Sequence, residues 1–533
     1  MCHESSSRFG SITRVRTFSV PDRPVRLTPL PPWGRPEQIT TIIIGVLAFI
    51  TRFAGLTATT SAGTPIFDEK HYVPQAWDMV ESQHNPLIGG IESNPGYGLV
   101  VHPPLAKQLI ALGEEVFGYT PAGWRVMVAL FGCATVLITM ALARQLSSSW
   151  QVGAIAGFLA VCDGVLLIGS RFGMLDIFQV FFIVTAAWAL VKDHRQCAAR
   201  IFHAWSHPPV RWGFFGPRLG FRWWRFLAGV MLGLSLSVKW SGLYYIAFFG
   251  LLSVIGDLRL RAKAGVSAPT AGTLIRDVPA ALASLVVLPA ALYLWSWRAW
   301  FSSETSVYRH ALSNGTVPEE SWLHYFPESL GSWLYYHLSV LEFHSSLTSS
   351  SGHHHPWDSK PWAWLAAVRP ILYSSASEQN CWAGEKACHH AIFLFGTPAI
   401  WWATVPALLW GLWFFLIRRQ RSYGVPLMGF AAGFLPWLAA YDRQMYFFYA
   451  TALVPFTICL IALACWHLAH TGPAIVNGVN KSGSPQFLTA GGLAVALYLA
   501  LVAAMFIYFS PILYGLPIPN SWYQSLMWLP SWQ

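Results

Sequence analysis

Asp68 and Glu69 stand side by side in Ile66-Phe67-Asp68-Glu69-Lys70-His71-Tyr72, just after the first long apolar segment. Ionisable groups beside or within a bilayer are costly and are candidates for function. Asp68 has the chemistry of a general base, a carboxylate that takes a proton from an attacking hydroxyl. Its plainer role is to cap the helix that begins near Lys70. Val101-His102-Pro103-Pro104-Leu105-Ala106-Lys107 follows, and then Ser170-Arg171-Phe172-Gly173-Met174-Leu175-Asp176. Lys239, Glu342, His353-His354-His355, Asp358 and Asp442-Arg443 complete the unusual polar groups, with Asp163 two turns before Arg171. Arg171, Arg443 and Lys239 could stabilise a phosphate, and guanidinium suits phosphate best. The plainer alternatives are headgroup anchors for the arginines, a snorkelling lysine, a buried Asp163–Arg171 pair and an ordinary loop acid at Glu342. Contiguous histidines rarely all reach one ion, so the triple-His run does not argue for a metal.

The elements that must carry these groups are membrane spans. The chain has 533 residues, of which 54% are hydrophobic and 11% charged, with a mean hydropathy of +0.44. Soluble domains carry roughly 25% charged residues. Apolar runs of about 18 residues or more span a bilayer. The net charge of +10 does not indicate a nucleic-acid partner. Lys and Arg cluster in short loops between apolar runs, where they set orientation. The expected fold is an all-α polytopic membrane body with eleven spans. They fall at about 38–57, 122–146, 152–170, 173–191, a hairpin within 226–256 tipped by Lys239-Trp240-Ser241-Gly242, 278–297, 391–417, 423–440, 446–467 and 488–508.

Residues 1–37 read as a disordered basic cytoplasmic tail with Arg8, Arg14, Arg16, Arg23, Arg26 and Arg35. Residues 38–508 form the transmembrane body, with a first outer loop at 58–121 and a larger one at 298–390; residues 509–533 are an outer tail. The basic loop 192–225 faces the cytoplasm. Two amphipathic runs in the first outer loop suit interfacial helices. One carries Val73, Ala76, Trp77 and Val80, the other Leu105, Leu109, Leu112 and Val116. Cys133, Cys162, Cys459 and Cys465 sit in apolar segments as packing residues. Cys381 and Cys388 share one polar loop, where a disulfide and free thiols both remain open. On this topology nearly every unusual polar residue falls on one face of the membrane, which suggests a single outward site. No internal repeat of the transporter kind is visible, nor any nucleotide-binding loop.

The motifs resemble the protein O-mannosyltransferases. The resemblance rests on Phe67-Asp68-Glu69-Lys70-His71-Tyr72, the Val101 to Lys107 and Ser170 to Asp176 stretches, and Val238-Lys239-Trp240. It also rests on His355-Pro356-Trp357-Asp358-Ser359-Lys360-Pro361-Trp362 and Arg443-Gln444-Met445-Tyr446. It implies a GT-C type glycosyltransferase with about eleven spans. Such an enzyme moves mannose from a polyprenyl phosphate mannose to Ser or Thr of a translocated protein. It implies Asp68 as the key acid, with Glu69 beside it, and places a loop arginine on Arg125. The 298–390 loop is too short for the β-trefoil domain of eukaryotic members, so the resemblance is to the bacterial, actinobacterial branch. The expected donor site comprises Arg171, Asp176, Lys239, Arg443, Arg125 and His102, with Glu342 and His355 toward sugar or acceptor. No cofactor is required on this reading; Mg2+ is compatible with the chemistry but no residue pattern asks for it. Expected partners are the donor lipid, the acceptor polypeptide, the membrane and the secretion machinery that would deliver the acceptor unfolded. The competing readings are a GT-C transferase with a glycan or lipid acceptor, and a membrane transporter.

Overall fold

A computed structural model describes residues 30–82, 101–206, 213–379, 381, 387–479 and 485–533. Most of the expected basic tail, with Arg8, Arg14, Arg16, Arg23 and Arg26, lies outside the described residues, as does Arg211 of the basic loop. The first half comprises α1 (Arg35–Phe53), α2 (Glu69–Ser82), α3 (Leu105–Phe117), α4 (Pro121–Ser147), α5 (Trp150–Cys162), α6 (Gly164–Gly169), α7 (Asp176–Ser206), α8 (Trp223–Leu236) and α9 (Gly242–Lys263). The second half comprises α10 (Val278–Ser296), α11 (Glu328–Ser346), α12 (Pro398–Leu416), α13 (Gly424–Ala439), α14 (Phe447–Ala469) and α15 (Ala490–Tyr514).

Eight of these helices are long and apolar enough to cross a membrane, not the expected eleven. The other three expected spans are short: α5 has 13 residues, α8 has 14 and α13 has 16. At about 1.5 Å per residue, 13 residues reach only about 20 Å against a hydrocarbon core of roughly 30 Å. Each is cut by a local cause. Asp163 ends α5 and caps α6, its Oδ1 accepting from the Leu166 amide at 2.8 Å. Thr397 Oγ1 donates to Cys162 O at 2.7 Å and accepts from the Gly164 amide at 3.1 Å. The break therefore leaves few backbone groups unsatisfied at depth. Asp163 does not pair with Arg171; its Oδ2 accepts from Trp401 Nε1 at 2.8 Å. After α8 the chain unwinds into the Lys239-Trp240-Ser241 tip, and α13 contains Pro436.

The membrane body is all-α as expected, and short strands are added outside its helices. Strands β1 (Ile371–Gln379), β2 (Ala387–Leu394) and β5 (Ile518–Pro519) form an antiparallel sheet in the order β1-β2-β5. Strands β3 (Ala474–Val479) and β4 (Pro485–Thr489) form a hairpin. A disulfide joins Cys381 to Cys388 between β1 and β2, closing the alternative the sequence left open. Helix α15 runs to Tyr514, six residues beyond the expected span.

Both amphipathic runs form helices, and α3 presents apolar residues outward along one side. Leu112, Val116 and Phe117 are exposed while Lys107 and Glu114 are buried. A soluble protein would invert that arrangement, but in a bilayer an apolar stripe faces lipid and costs nothing there. Helix α3 lies on α4 through two glycines. A Cβ on Gly113 would sit 2.3 Å from Gly123 O and 2.8 Å from Val126 Cγ1. Both obstacles belong to α4, and one is backbone, so the overlap cannot relax cheaply. Gly113→Val should destabilise the fold by about 1–3 kcal/mol, read as a lower thermal-unfolding midpoint of the purified chain in detergent. An unchanged midpoint would mean that α3 is not seated on α4.

Candidate active site

The acidic pair is divided by the backbone. Phe67 has φ +51°, the left-handed region that a non-glycine residue enters only at a cost of about 1–3 kcal/mol. Its ring is held there by stacking on Tyr373 at 4.2 Å and an edge contact with Phe448. Tyr373 is the extra residue of a β-bulge between Leu372 and Ser374, and bulges re-aim side chains in this way. The turn at Phe67 sends the next two side chains to different places. Asp68 lines a cavity of about 560 Å³, whereas Glu69 is fully buried in the protein.

Glu69 is saturated. Arg125 Nε donates to Oε1 at 2.8 Å and Nη2 donates to Oε2 at 2.7 Å. The Gly173 amide donates to Oε1 at 2.7 Å and the Ile66 amide to Oε2 at 3.1 Å. Arg125 adds a bond to Leu56 O at 2.9 Å and lies over the Phe172 ring. Glu69, expected in catalysis, and Arg125, expected at the donor, are thus placed together outside the cavity. Neither lines the cavity, and both are consumed in fixing the loop that carries Asp68. Arg171, expected at the donor, likewise does not line the cavity. Its guanidinium donates to Thr51 O, Arg52 O, Ala54 O and Gly55 O at 2.7–3.1 Å and lies over the Tyr514 ring. It neutralises the partial negative charge at the end of α1.

Four other expected residues do meet Asp68 in the cavity: His102, Asp176, Lys239 and Arg443. They come from the loop before α3, the start of α7, the turn after α8 and the turn between α13 and α14. These are the helix ends at which α1 also finishes, so the polar groups share one end of the bundle. Lys239 Nζ bonds Asp176 Oδ1 at 2.7 Å. Gln179, one turn along α7, donates to Lys239 O at 3.0 Å and accepts from Ser241 Oγ at 3.1 Å, which fixes the tip. Arg443 pairs with no carboxylate among the described residues. Its Nη2 donates to His344 Nδ1 at 3.1 Å, its Nε has no partner, and it lies over the Trp437 and Tyr449 rings. Because arginine only donates, His344 Nδ1 is unprotonated. Burial, assisted by Arg443, pushes His344 down to about 4, which keeps it neutral. Burial likewise holds His102 well below its ordinary value. Burial raises the Asp68 carboxyl above its ordinary value, while His71 and Lys239 pull it back. Among the described residues no group hydrogen-bonds that carboxylate, so its lone pairs face the cavity.

His355 and Glu342 are exposed and do not line the cavity. The motif around His355 acts one step back. Asp358 Oδ1 accepts from the Met445 amide at 2.9 Å, the Ser359 amide donates to Met445 O at 2.7 Å and Lys360 Nζ donates to Arg443 O at 2.8 Å. It splints the segment that presents Arg443. His337 and His344 line the cavity and were missed. They are seven residues apart on α11, two turns along one face, which is the signal that could have marked them. Among the described residues, no cluster of three or more His, Cys, Asp or Glu could hold a metal ion.

A helical membrane body whose loops gather one open carboxylate, one open guanidinium and a paired lysine in a single cavity is the build of a GT-C type membrane transferase. The family assignment follows from the comparisons. Residues 122–301 match the model for dolichyl-phosphate-mannose-protein mannosyltransferase, and residues 329–532 match the C-terminal four-transmembrane region of protein O-mannosyltransferase. The polyprenol-phosphate-mannose–protein mannosyltransferase of Corynebacterium glutamicum is 62% identical over 95% of this chain and 96% of its own length. The protein of the same name from Mycobacterium tuberculosis is 43% identical over 93% of this chain and 92% of its own. The Saccharomyces cerevisiae Pmt1–Pmt2 protein O-mannosyltransferase complex bound to the sugar donor superposes with a TM-score of 0.68 at 15% identity, covering 94% of this chain and 93% of that one, and shares the fold. The chain belongs to the protein O-mannosyltransferase family.

Removing one partner of a buried ion pair leaves the other uncompensated, at about 3–5 kcal/mol. Glu69→Gln should therefore lower the thermal midpoint strongly, whereas Asp68→Asn should leave it near that of the parent. Size-exclusion profiles after graded heating compare the two; equal midpoints would contradict the division of labour.

Proposed function

We infer that this protein transfers mannose from polyprenyl-phosphate-mannose to serine and threonine hydroxyls of acceptor polypeptides at the membrane. The relatives that match it over nearly their whole length carry that activity in their names. The observation that carries the mechanism is the single cavity holding Asp68, Lys239 and Arg443.

A serine or threonine hydroxyl is a poor nucleophile at neutral pH. Asp68 takes its proton as the oxygen attacks the anomeric carbon. Burial supports this role, because a raised carboxyl is a better base than one at its ordinary value. The bond from the anomeric carbon to the phosphate oxygen breaks, and polyprenyl phosphate leaves with the electron pair. Phosphate needs no proton to depart; it needs a cation. Arg443 is that cation, since Lys239 is already matched by Asp176. His344, neutral and bound to Arg443, holds the guanidinium without competing for charge. One base and no covalent intermediate give inversion, so a β-linked donor yields an α-mannoside. No metal enters the scheme.

The remaining expectations are consistent with this frame. Residues 38–508 act as the catalytic body. The cavity end faces outward and the amino terminus lies in the cytoplasm. Two features support that orientation: the Cys381–Cys388 disulfide on the cavity side, since disulfides persist in oxidising compartments, and Arg259, Arg261, Lys263, Arg418, Arg419 and Arg421 at the opposite end. An acceptor entering this cavity must be extended, which favours delivery by secretion machinery.

With polyprenyl phosphate mannose and a Ser/Thr-rich peptide, Asp68→Asn should lose about 10²–10⁴-fold in rate. Turnover near that of the parent would remove Asp68 as the base. Arg443→Ala should lower the rate about 10²-fold or more at saturating peptide; an unchanged rate would move the leaving phosphate elsewhere. The base must be ionised, so activity should fall as pH drops through the Asp68 value. The acid limb of the pH–rate profile should lie above 3.8, the ordinary value of an aspartate.

A further inference from the structure

A second cavity, of about 230 Å³, opens at the end of the bundle opposite Asp68. On α7 alone, Asp176 and Asp193 are separated by roughly 25 Å of helix at about 1.5 Å per residue. The end of α4, the middle of α7 and the second half of α9 meet the end of α12 and the start of α13 there. One part of its wall is apolar, with Leu146, Leu190, Leu252, Ile255 and Phe415. The rest is polar and carries unspent cations. Arg222 is neutralised by Asp193 and by Asp257, the latter at 2.6 Å. Arg259 and Arg421 pair with no carboxylate among the described residues, and both line the cavity. They are near enough to act on each other: burial and then the Arg259 charge depress the proton affinity of Arg421. Lys263 lies within electrostatic reach of both.

Arg259 and Arg421 are exposed, so the two like charges stand at the mouth of the cavity, where they favour an anion. Two further polar groups point to one. Gln145, only 7% exposed, lines the cavity, and its Oε1 has no hydrogen-bond partner. Ser253 Oγ, also on the wall, has none either. A buried polar group without a partner costs about 1–3 kcal/mol. A carboxamide can offer either its donor or its acceptor end, since the two are distinguished only by their partners. The first turn of α13, through Gly424 and Val425, also lines the cavity and adds the partial positive charge of a helix start.

We propose that this cavity is a site for an anionic phospholipid whose headgroup carries hydroxyls beside its phosphate. Arg259 and Arg421 hold the phosphate, Gln145 and Ser253 meet the hydroxyls, and an acyl chain follows the apolar wall toward the bilayer. The site lies a membrane's thickness from the chemistry, so it stabilises the fold rather than supplying substrate. Basic loops alone would attract any anionic lipid loosely; this arrangement holds one lipid per chain.

Native mass spectrometry of the delipidated full chain in detergent tests this directly. Phosphatidylglycerol should add saturably as one molecule per chain and raise the thermal midpoint, and phosphatidylcholine should do neither. The Arg259→Gln/Arg421→Gln double variant should bind phosphatidylglycerol at least tenfold more weakly while keeping transfer activity. Ser253→Phe, which fills the cavity without altering charge, should lose the lipid as well. Three results would each overturn the proposal: parental binding by either variant, equal binding of phosphatidylcholine, or inorganic phosphate raising the midpoint as much as the lipid does.

Discussion

The buried ion pair between Glu69 and Arg125 is the constraint on which the rest of the catalytic end depends. Two charges out of water rarely stabilise a fold by their attraction alone. This pair succeeds because every lone pair of the carboxylate is engaged, by two guanidinium bonds and two backbone amides. Those four bonds tie together the loop after α1, the start of α4 and the turn before α7. With Glu69 anchored, Phe67 is forced into a left-handed conformation and Asp68 is turned toward the cavity. The strain at Phe67 is offset by its stacking on Tyr373, which the bulge in β1 supplies. The Asp68 carboxylate is thus aimed by its own neighbour.

The same logic runs through the other motifs. Each pairs a residue that meets the cavity with residues that hold it there. Asp176 and Lys239 meet each other, and Gln179 fixes the turn between them. Arg443 meets the cavity while Asp358, Ser359 and Lys360 bind its backbone segment. Arg171 finishes α1 by capping four carbonyls, and α1 leads into the acidic pair. A motif conspicuous in the sequence is therefore as often a splint as a reagent.

This explains what could be read from the sequence. Membrane character, the order of the helices and the gathering of polar groups at one end followed from hydropathy and loop position. So did Asp68, His102, Asp176, Lys239 and Arg443 as one cluster. Where the structure places a residue away from the cavity, the difference turns on side-chain direction. Nothing in the spacing of Arg171 tells whether it faces a cavity or the end of α1. Glu69 and Asp68 are adjacent, and only the φ of Phe67 separates them. The short α5 was read as a full span because the Asp163 break depends on Thr397 and Trp401, over 230 positions away. Strand β1 lies hidden in a polar loop, since Ser374-Ser375-Ala376-Ser377 has no alternation, and the apolar end of β2, Ala391–Leu394, reads as the start of the 391–417 span; pairing alone makes them strands.

The central claim is that Asp68 faces the reacting carbon and Arg443 the leaving phosphate. A structure of the full chain with a non-transferable polyprenyl-phosphate-mannose analogue and an acceptor peptide measures both at once. The account predicts the acceptor hydroxyl within about 3 Å of the Asp68 carboxylate and phosphate oxygens on the Arg443 guanidinium. A phosphate bound at Arg171, or an acceptor hydroxyl out of reach of Asp68, would contradict it.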